Sequence, residues 1–373
     1  MNFNPIYSEL GVRTIIHAGG TKTTHGGSRV HPSVFDAMKI ASESFVDIVE
    51  LNRKIGEYIA EITGAEAGMI TSGAASGVVL SIAACMTGTD ISKIRQLPKS
   101  DGMKNEVVIQ RIHRGGYSHM YTFTGATIVD VGDVNDCLPE ELAHAITSQT
   151  AAIAYLIGPR VSRTGLTLPE VVAIAHDRGV PVIVDAAAML PPKSNLQRYV
   201  EEGADLIVFS GGKLIGGPQN TGIMFGRRDL IEAALANTSP NHAIGRPHKV
   251  SKEDMVGLYA ALQIYINSDE SERIEHYKSL LEPIYKSLKD IDKINVTIQH
   301  DDHNHHVPTL VIEFSTTWNG RSPYQIKEGL LSGDPGIFVQ YFKDIGHLVV
   351  NPINVQDDEQ YIIADKLREQ LLH

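Results

Sequence analysis

The sequence predicts an α/β fold with a large, mostly parallel sheet, followed by a smaller α+β domain. Short, fully apolar, β-rich segments recur through the middle of the chain, at residues 107–110, 151–157, 181–184 and 206–209. Strands that are apolar on both faces are typical of a parallel sheet covered by helices on each side. Helix-like segments alternate with these strands, which indicates a doubly wound arrangement.

Two segments show the helical part of this alternation. Residues 40–63 are predicted to form one long helix that ends at Gly64. Thr167 and Glu170 have the spacing of a capping box, in which each residue's side chain bonds the other's backbone amide. The helix that begins there is predicted to end at Gly179.

The pattern changes after about residue 240, where strands and helices become grouped as in an α+β domain. Predicted helices cover residues 252–267, 271–290 and 359–372, and predicted strands cover residues 294–298, 309–314 and 347–350. We therefore expect an N-terminal active-site segment at 1–30, a large domain at 31–240 and a small domain at 241–373.

Composition and charge exclude several classes of protein. The chain has 373 residues and a net charge of −11, which argues against a protein that coats nucleic acid. Cys85 and Cys137 are its only cysteines, so a disulfide framework is excluded and a reducing cytoplasm is expected. We expect no signal peptide, since residues 1–10 lack a basic and an apolar region. The longest apolar stretch is too short for a membrane helix.

Lys213 lies in a glycine-rich segment directly after the apolar strand at 206–209. Glycines let a ligand approach the backbone closely. A partly desolvated lysine there would have a lowered pKa and would attack an aldehyde. The alternative is a surface turn with a solvated lysine.

Asp185 ends another apolar strand, 28 residues before Lys213. Ligands of α/β sheets bind at the carboxyl ends of the strands, so this carboxylate could pair with a protonated pyridine nitrogen. The alternative role is a helix N-cap. Residues 71–77 are small and open an apolar helix, and such a helix start can bind an anion or simply be capped. The small residues at 71–77, Asp185 and Lys213 follow one another in this order. Together they are stronger evidence for a ligand site than any one of them alone.

Together these residues resemble those of a known enzyme family. The chain resembles the fold-type-I (aspartate aminotransferase-like) enzymes that use pyridoxal 5′-phosphate (PLP), in the branch related to selenocysteine synthase. Within it, the chain is similar to the D-glucosaminate-6-phosphate ammonia-lyase group. The matching segments are residues 11–21, 71–75, 184–188, 209–213 with 217–219, and 244–246.

The resemblance implies a role for each matching residue. Lys213 would form the Schiff base with PLP and move the α-proton, and Asp185 would pair with the pyridine nitrogen. His113 would stack on the ring, with Tyr117 as the alternative, and Ala187 would lie on the opposite face. The phosphate would be bound by Ser72, Gly73, Ala74 and Ser210, with Thr221 reaching the phosphate of a partner subunit. Thr21, Arg246 and Lys249 would bind the substrate.

The implied activity is removal of ammonia from a β-hydroxy amino acid or an amino-sugar acid by a cytoplasmic homodimer or higher homo-oligomer. Aldolase, racemase, aminotransferase, selenium transferase-like chemistry or a non-catalytic role are the alternatives. His17 stands where the ammonia-lyase group has Asn, and Gln340 stands near an Arg position, which leaves the substrate open. We expect no nucleic-acid or membrane partner.

Two further segments have simpler interpretations. The histidine-rich stretch at 299–306 is interpreted as a loop between strands and not as a metal site, because metal sites require geometry and not only histidines. Residues 26–29 form either an anion-binding loop or a plain turn. No metal site is expected.

Overall fold

The computed structural model describes residues 5–158, 161, 164–301 and 306–372. It divides into two compact units, one formed by Val30–Asn267 and the other by Met1–Arg29 together with Ser268–His373. The observed division differs from the predicted one. The boundary lies at residue 267 and not at 240, because the helix at 252–267 packs in the larger unit. The N-terminal segment belongs to the smaller unit.

Strands and helices alternate as expected through the middle of the chain. The strands are β1 Ile15–Ala18, β2 Ala67–Thr71, β3 Glu106–Gln110, β4 Thr127–Val131, β5 Thr150–Leu156, β6 Val182–Asp185, β7 Leu206–Ser210, β8 Gly222–Gly226, β9 Ile294–Gln299, β10 Thr309–Phe314, β11 Gly336–Phe342 and β12 His347–Val350. The helices are α1 Pro5–Glu9, α2 Pro32–Ser42, α3 Ile48–Thr63, α4 Gly73–Thr87, α5 Ile91–Gln96, α6 Pro139–Ala145, α7 Leu168–Asp177, α8 Asn195–Glu201, α9 Arg228–Asn237, α10 Lys252–Asn267, α11 Glu270–Leu288, α12 Pro323–Ser332 and α13 Glu359–Leu372.

The larger unit contains a seven-stranded sheet in the order β2-β8-β7-β6-β5-β3-β4. Strands β3 to β7 run parallel to one another, and β8 is antiparallel to both of its neighbours. Since two reversals cancel, β2 runs in the same direction as β7. The predicted mostly parallel α/β sheet is therefore confirmed, and the carboxyl ends of β2, β3, β6 and β7 share one edge.

Helix α4 is buried around nearly its whole circumference, from Ser76 to Thr87. Its contacts are with β5, β6, β7 and β8 on one side and with α9 on another. A helix that is apolar all round belongs in a core, which explains why residues 77–86 looked so apolar in the sequence.

The predicted helix at 40–63 is wrong in one respect, because the segment forms two helices. Helix α2 ends at Ser42 and α3 begins at Ile48. Asp47 caps α3, since its carboxylate accepts hydrogen bonds from the amides of Val49 and Glu50 at 2.8 and 3.0 Å. The capping box of Thr167 and Glu170 is confirmed at the start of α7.

The smaller unit contains a five-stranded sheet in the order β1-β11-β12-β10-β9. Strand β1 pairs in parallel with β11, so the N-terminal segment adds an edge strand to a C-terminal sheet. The other pairs are antiparallel. Helices α11, α12 and α13 supply the apolar side chains that cover it. Among the described residues, no helix is both long and apolar enough to cross a membrane.

Candidate active site

The candidate residues of the larger unit cluster at the shared carboxyl edge of its sheet. Asp185 is the last residue of β6, and Ser210 is the last residue of β7. Thr71 ends β2, and both Thr71 and Ser210 are in register with Gly222 of β8. Strands lie about 4.8 Å apart. The start of α4, which follows β2, therefore lies about two strand spacings from the end of β7, which precedes Lys213.

Lys213 lies in a turn in which close packing requires glycine. The Gly211 amide donates to the Thr221 carbonyl at 2.8 Å, and the Gly217 amide donates to the Gly211 carbonyl at 2.9 Å. A Cβ on Gly212 would lie 2.5 Å from the backbone of Gln219. The turn is thus held by its own backbone, and Lys213 is half-buried within it.

Asp185 is 8% exposed, and its Oδ1 accepts a hydrogen bond from the Ala187 amide at 3.1 Å. Burial raises the pKa of Asp185 above its ordinary value, while the Ala187 amide and the charge of Lys213 oppose that shift. A buried carboxylate beside an ammonium group is suited to a cationic partner. The Ser210 amide bonds the Ala187 carbonyl at 3.3 Å, which links the ends of the two strands.

The segment Ser72 to Ala74 leaves space for an anion. Gly73 has a φ of +74°, and no described atom lies within 4 Å of the place where its Cβ would stand. Ser72 is the N-cap residue of α4, yet its side chain makes no capping hydrogen bond. A Cβ on Gly222 would lie 2.7 Å from the Gly73 backbone, so Gly222 permits this segment to pack on the sheet. The role of Gly222 had no sequence signal beyond its glycine-rich surroundings.

Aromatic side chains lie near the carboxyl ends of the neighbouring strands β3 and β5. His113 is 3% exposed and contacts the ring of Tyr155, with the ring centroids 4.4 Å apart. Burial lowers the pKa of His113 to about 4, so the ring is neutral at pH 7. Tyr117 is 68% exposed, which favours His113 for the stacking role. Tyr121 was not predicted. Burial and the charge of Asp185 raise the pKa of its hydroxyl.

Arg246 and Lys249 are exposed on a segment attached to α4. The Gly245 amide donates to the Asn237 carbonyl at 2.9 Å. His248 Nδ1 and Ser76 Oγ, in the first turns of α4, form a hydrogen bond of 3.0 Å. The segment that carries both cations is therefore held against α4, the helix that follows Ser72. The sequence did not indicate the pair of His248 and Ser76.

Of the remaining predicted residues, Thr221 packs against the turn that carries Lys213, and Thr21 belongs to the other unit. Thr221 is fully buried, and its hydroxyl donates to the Pro218 carbonyl at 2.6 Å. Thr21 belongs to the smaller unit and lies directly after β1 and its loop. The Nε2 of Gln340 donates to the Gly19 carbonyl at 2.7 Å. Within the histidine-rich stretch, residues 302–305 lie outside the described residues. Among those described, no cluster of metal-binding side chains is found.

Sequence comparison decides the family. Residues 48–298 match the family of L-seryl-tRNA selenium transferase, which is more than half of the chain. The chain belongs to this family. A selenium transferase of Carboxydothermus hydrogenoformans is 25% identical over 319 residues, covering 78% of this chain and 63% of that protein.

Other members are similar over nearly their whole length. D-glucosaminate-6-phosphate ammonia lyase of Salmonella typhimurium is 31% identical, covering 99% of this chain and 98% of that protein. A 5′-C-glycyluridine monooxygenase-decarboxylase of a Streptomyces species is 33% identical, covering 98% and 92%. A solved structure of D-glucosaminate-6-phosphate ammonia-lyase has a TM-score of 0.86 at 30% identity and covers 100% of this chain and 99% of that one.

The fold is that of the fold-type-I enzymes, and the cofactor of this selenium transferase family member is PLP. The described residues fit that group. Lys213 can hold an aldehyde, Asp185 can hold a protonated ring nitrogen, and the open backbone at Gly73 can take a phosphate. The relatives include an ammonia lyase, which supports a lyase-like PLP enzyme.

Proposed function

We propose that the chain is a PLP-dependent ammonia-lyase. It would remove water and then ammonia from a β-hydroxy amino acid, with an amino-sugar acid 6-phosphate such as D-glucosaminate 6-phosphate as the leading substrate. The observation that carries this proposal is the similarity to D-glucosaminate-6-phosphate ammonia lyase over nearly the whole of both chains. The location of Lys213 and Asp185 at the carboxyl ends of two neighbouring strands supports it.

PLP, when bound, supplies a ring that withdraws electrons from the α-carbon of an amino acid. Asp185 would keep the proton on the ring nitrogen, since its buried carboxylate is stabilised most by a cation close to it. Lys213 Nζ would hold the cofactor and, once replaced by the substrate amine, would take the proton from the α-carbon. The neutral ring of His113 would pack on the cofactor without competing for protons.

The anionic groups have separate binding residues in this proposal. Ser72, Gly73 and Ala74 would bind the cofactor phosphate with backbone amides at the start of α4. Arg246 and Lys249 would bind an anion of the substrate, because arginine makes paired hydrogen bonds to carboxylates and phosphates. The hydrogen bond between His248 and Ser76 would keep this segment beside α4.

A product assay tests the proposed reaction. The PLP-loaded protein is incubated with D-glucosaminate 6-phosphate and with a panel of D- and L-serine and threonine, and ammonia and 2-keto acid are measured. Equal amounts of both products, without an added keto acid, are expected. Lys213→Ala should abolish turnover and the visible absorbance of the bound cofactor, while Lys289→Ala is the control. A requirement for a second keto acid would indicate an aminotransferase and contradict the proposal.

Oxygen-dependent decarboxylation is the second candidate. The Streptomyces relative named as a monooxygenase-decarboxylase is 33% identical over a similar share of the chain. Such a reaction would consume dioxygen and release carbon dioxide from an amino acid. Measuring both gases in the same assay separates the candidates, because the lyase reaction consumes no dioxygen.

We also propose a cytoplasmic homodimer or higher homo-oligomer with active sites at the subunit interface. Exposed apolar side chains on α2 and the loop after it support an interface. They include Phe35, Ile40 and Phe45, which are 56%, 68% and 101% exposed.

We propose a small-molecule substrate and no nucleic-acid partner, since the net charge is −11.

A further inference from the structure

Two histidines of the smaller unit pack against each other beside a phenylalanine. The ring centroids of His17 and His25 are 5.1 Å apart, and both rings contact Phe338, at 5.3 and 4.3 Å. His17 is the third residue of β1. His25 ends a short 3-10 helix, Thr23–His25, in a turn that the pairing of Lys22 and Gly27 closes. Nothing in the proposed reaction uses this pair.

Each ring carries a buried nitrogen without a partner among the described residues. His17 is 7% exposed, and its Nδ1 accepts a hydrogen bond from the Gly19 amide at 3.3 Å. In a neutral imidazole one nitrogen accepts and the other donates, so Nε2 of His17 carries a proton. Nε2 of His17 and Nδ1 of His25 are both buried, and neither has a hydrogen-bond partner among the described residues. Buried polar atoms without partners are rare and each needs a reason.

The pair is neutral at pH 7. Burial, together with His25, Lys22 and Arg29, lowers the pKa of His17 to about 4. Burial and Lys327 lower the pKa of His25. Among the described residues, the charged groups that shift these two pKa values are the cations Lys22, Arg29 and Lys327.

The loop that presents His25 is held in place. Asn354 is 5% exposed and donates from Nδ2 to the carbonyls of Gly20 and Gly27, at 2.9 Å each. Its Oδ1 accepts from the Arg29 amide at 3.0 Å. The Phe338 ring lies where a Cβ on Gly19 would stand, so that glycine is required. Asn354 therefore holds the backbone on both sides of His25 in place.

We propose that the paired imidazoles of His17 and His25 form a binding site for a hydroxyl group of a polyhydroxylated acid. A hydroxyl both donates and accepts, so a single such group can satisfy the His17 donor and an accepting His25 nitrogen. The choice of a polyhydroxylated acid rests on the proposed function, whereas the hydroxyl recognition rests on the two rings.

Other ligands fit less well. A metal ion needs more ligands, and no group of three or more suitable side chains is found in the described part of the chain. An anion gains little from neutral rings compared with a charged partner. A site built to bind a hydroxyl rejects an analogue that lacks it, because its own buried polar atoms then stay unpaired. The pair would thus favour ligands that carry a hydroxyl group.

Binding of two six-carbon acids tests the site. D-gluconate and hexanoate share the carboxylate and the chain length, but only gluconate carries hydroxyls. Calorimetry on the PLP-loaded, full-length protein should show gluconate bound about tenfold or more tighter than hexanoate. His17→Phe should remove that preference, and His17→Gln should retain part of it, since its Nε2 also donates. His276→Gln on the exposed face of α11 is the control.

The outcomes separate this inference from the proposed reaction. Gluconate has no amino group, so its binding is measured whether or not ammonia is ever released. Absence of gluconate binding, or equal affinity for gluconate and hexanoate, overturns the inference and indicates that trapped water satisfies the rings. A preference that survives in His17→Phe also overturns it. Gluconate preference without ammonia release from any substrate would leave the hydroxyl site in place and reject the lyase.

Discussion

At the scale of single residues, burial decides what each ionisable group does. Asp185 and His113 are both buried, and in both cases burial favours the neutral form. For His113 the neutral ring is suited to packing on an aromatic cofactor. For Asp185 a nearby cation favours the ionised form, and the charge of Lys213 lowers the pKa in this sense. The same physical effect therefore supports two different roles.

The variant Asp185→Asn tests the role of Asp185 in activity and, separately, its effect on stability. With PLP bound, activity should fall by about 100-fold or more, because the ring nitrogen loses its charged partner. Without PLP, the variant should melt no lower than wild type at pH 7. A raised folded-state pKa means that stability falls as pH rises above the ordinary value of 3.8, and Asn removes that loss. The stability difference should vanish below pH 3.8, where the carboxyl is protonated in both the folded and the unfolded state.

Thermal melting of the PLP-free protein from about pH 3 to pH 8 checks this expectation. Asp177→Asn, at the exposed end of α7, is the matched control and should change neither quantity. Near-normal turnover in Asp185→Asn would remove that residue from the proposed role.

At the scale of elements, the sequence identified segments whose burial is uniform and missed those defined by distant pairing. Strands β5, β6 and β7 are apolar on both faces, so composition alone located them. Strand β8 contains glycine at both ends and was missed, although it carries the Gly222 that lets α4 begin close to the sheet. The single helix predicted at 40–63 failed because apolar residues continue through the break, while only Asp47 marks the new start.

Asp47→Ala should destabilise the protein by about 1 kcal/mol, because two amides at the start of α3 lose their acceptor. Asp47→Asn should retain most of the stability, since asparagine is also a good N-cap residue. Urea unfolding of the three proteins measures the difference. An unchanged midpoint in Asp47→Ala would show that the cap contributes nothing to α3.

Gly212→Ala tests the turn that carries Lys213. A Cβ there would lie 2.5 Å from Cα and 2.8 Å from O of Gln219, so the backbone must move. We expect PLP loading, measured by visible absorbance, to fall at least about tenfold with the lysine still present. Gly116→Ala is the control, since no described atom lies within 4 Å of its Cβ position. Full loading in Gly212→Ala would show that the turn tolerates displacement.

At the scale of the whole molecule, the cofactor was more predictable from the sequence than the division into units. Lys213, Asp185 and Ser72 lie at strand ends that one sheet edge brings together, and their order in the chain already indicated PLP. By contrast, β1 joins β11 in parallel across more than 300 residues, with Ile15 opposite Gly336. No local pattern specifies a partner so distant. The N-terminal residues were therefore assigned to an active-site segment without the sheet that holds them.

The exposed apolar surface around α2 leads to a prediction about assembly. Phe45 is 101% exposed, and Val46 beside it is 50% exposed. Burying a phenylalanine side chain contributes about 1.5–3 kcal/mol, so an aspartate placed at the centre of an interface should weaken it strongly. Phe45→Asp should shift wild-type dimers towards monomers in sedimentation experiments at micromolar concentration.

A control variant and an activity measurement test the proposed assembly further. Tyr361→Asp places the same charge at a 56% exposed aromatic residue on α13 and should leave the dimer intact. If active sites need both subunits, the activity of Phe45→Asp should recover as protein concentration rises, because mass action restores the dimer. Monomeric wild-type protein would reject the proposed assembly. A monomeric Phe45→Asp with full activity at every concentration would instead show that each chain holds a complete site.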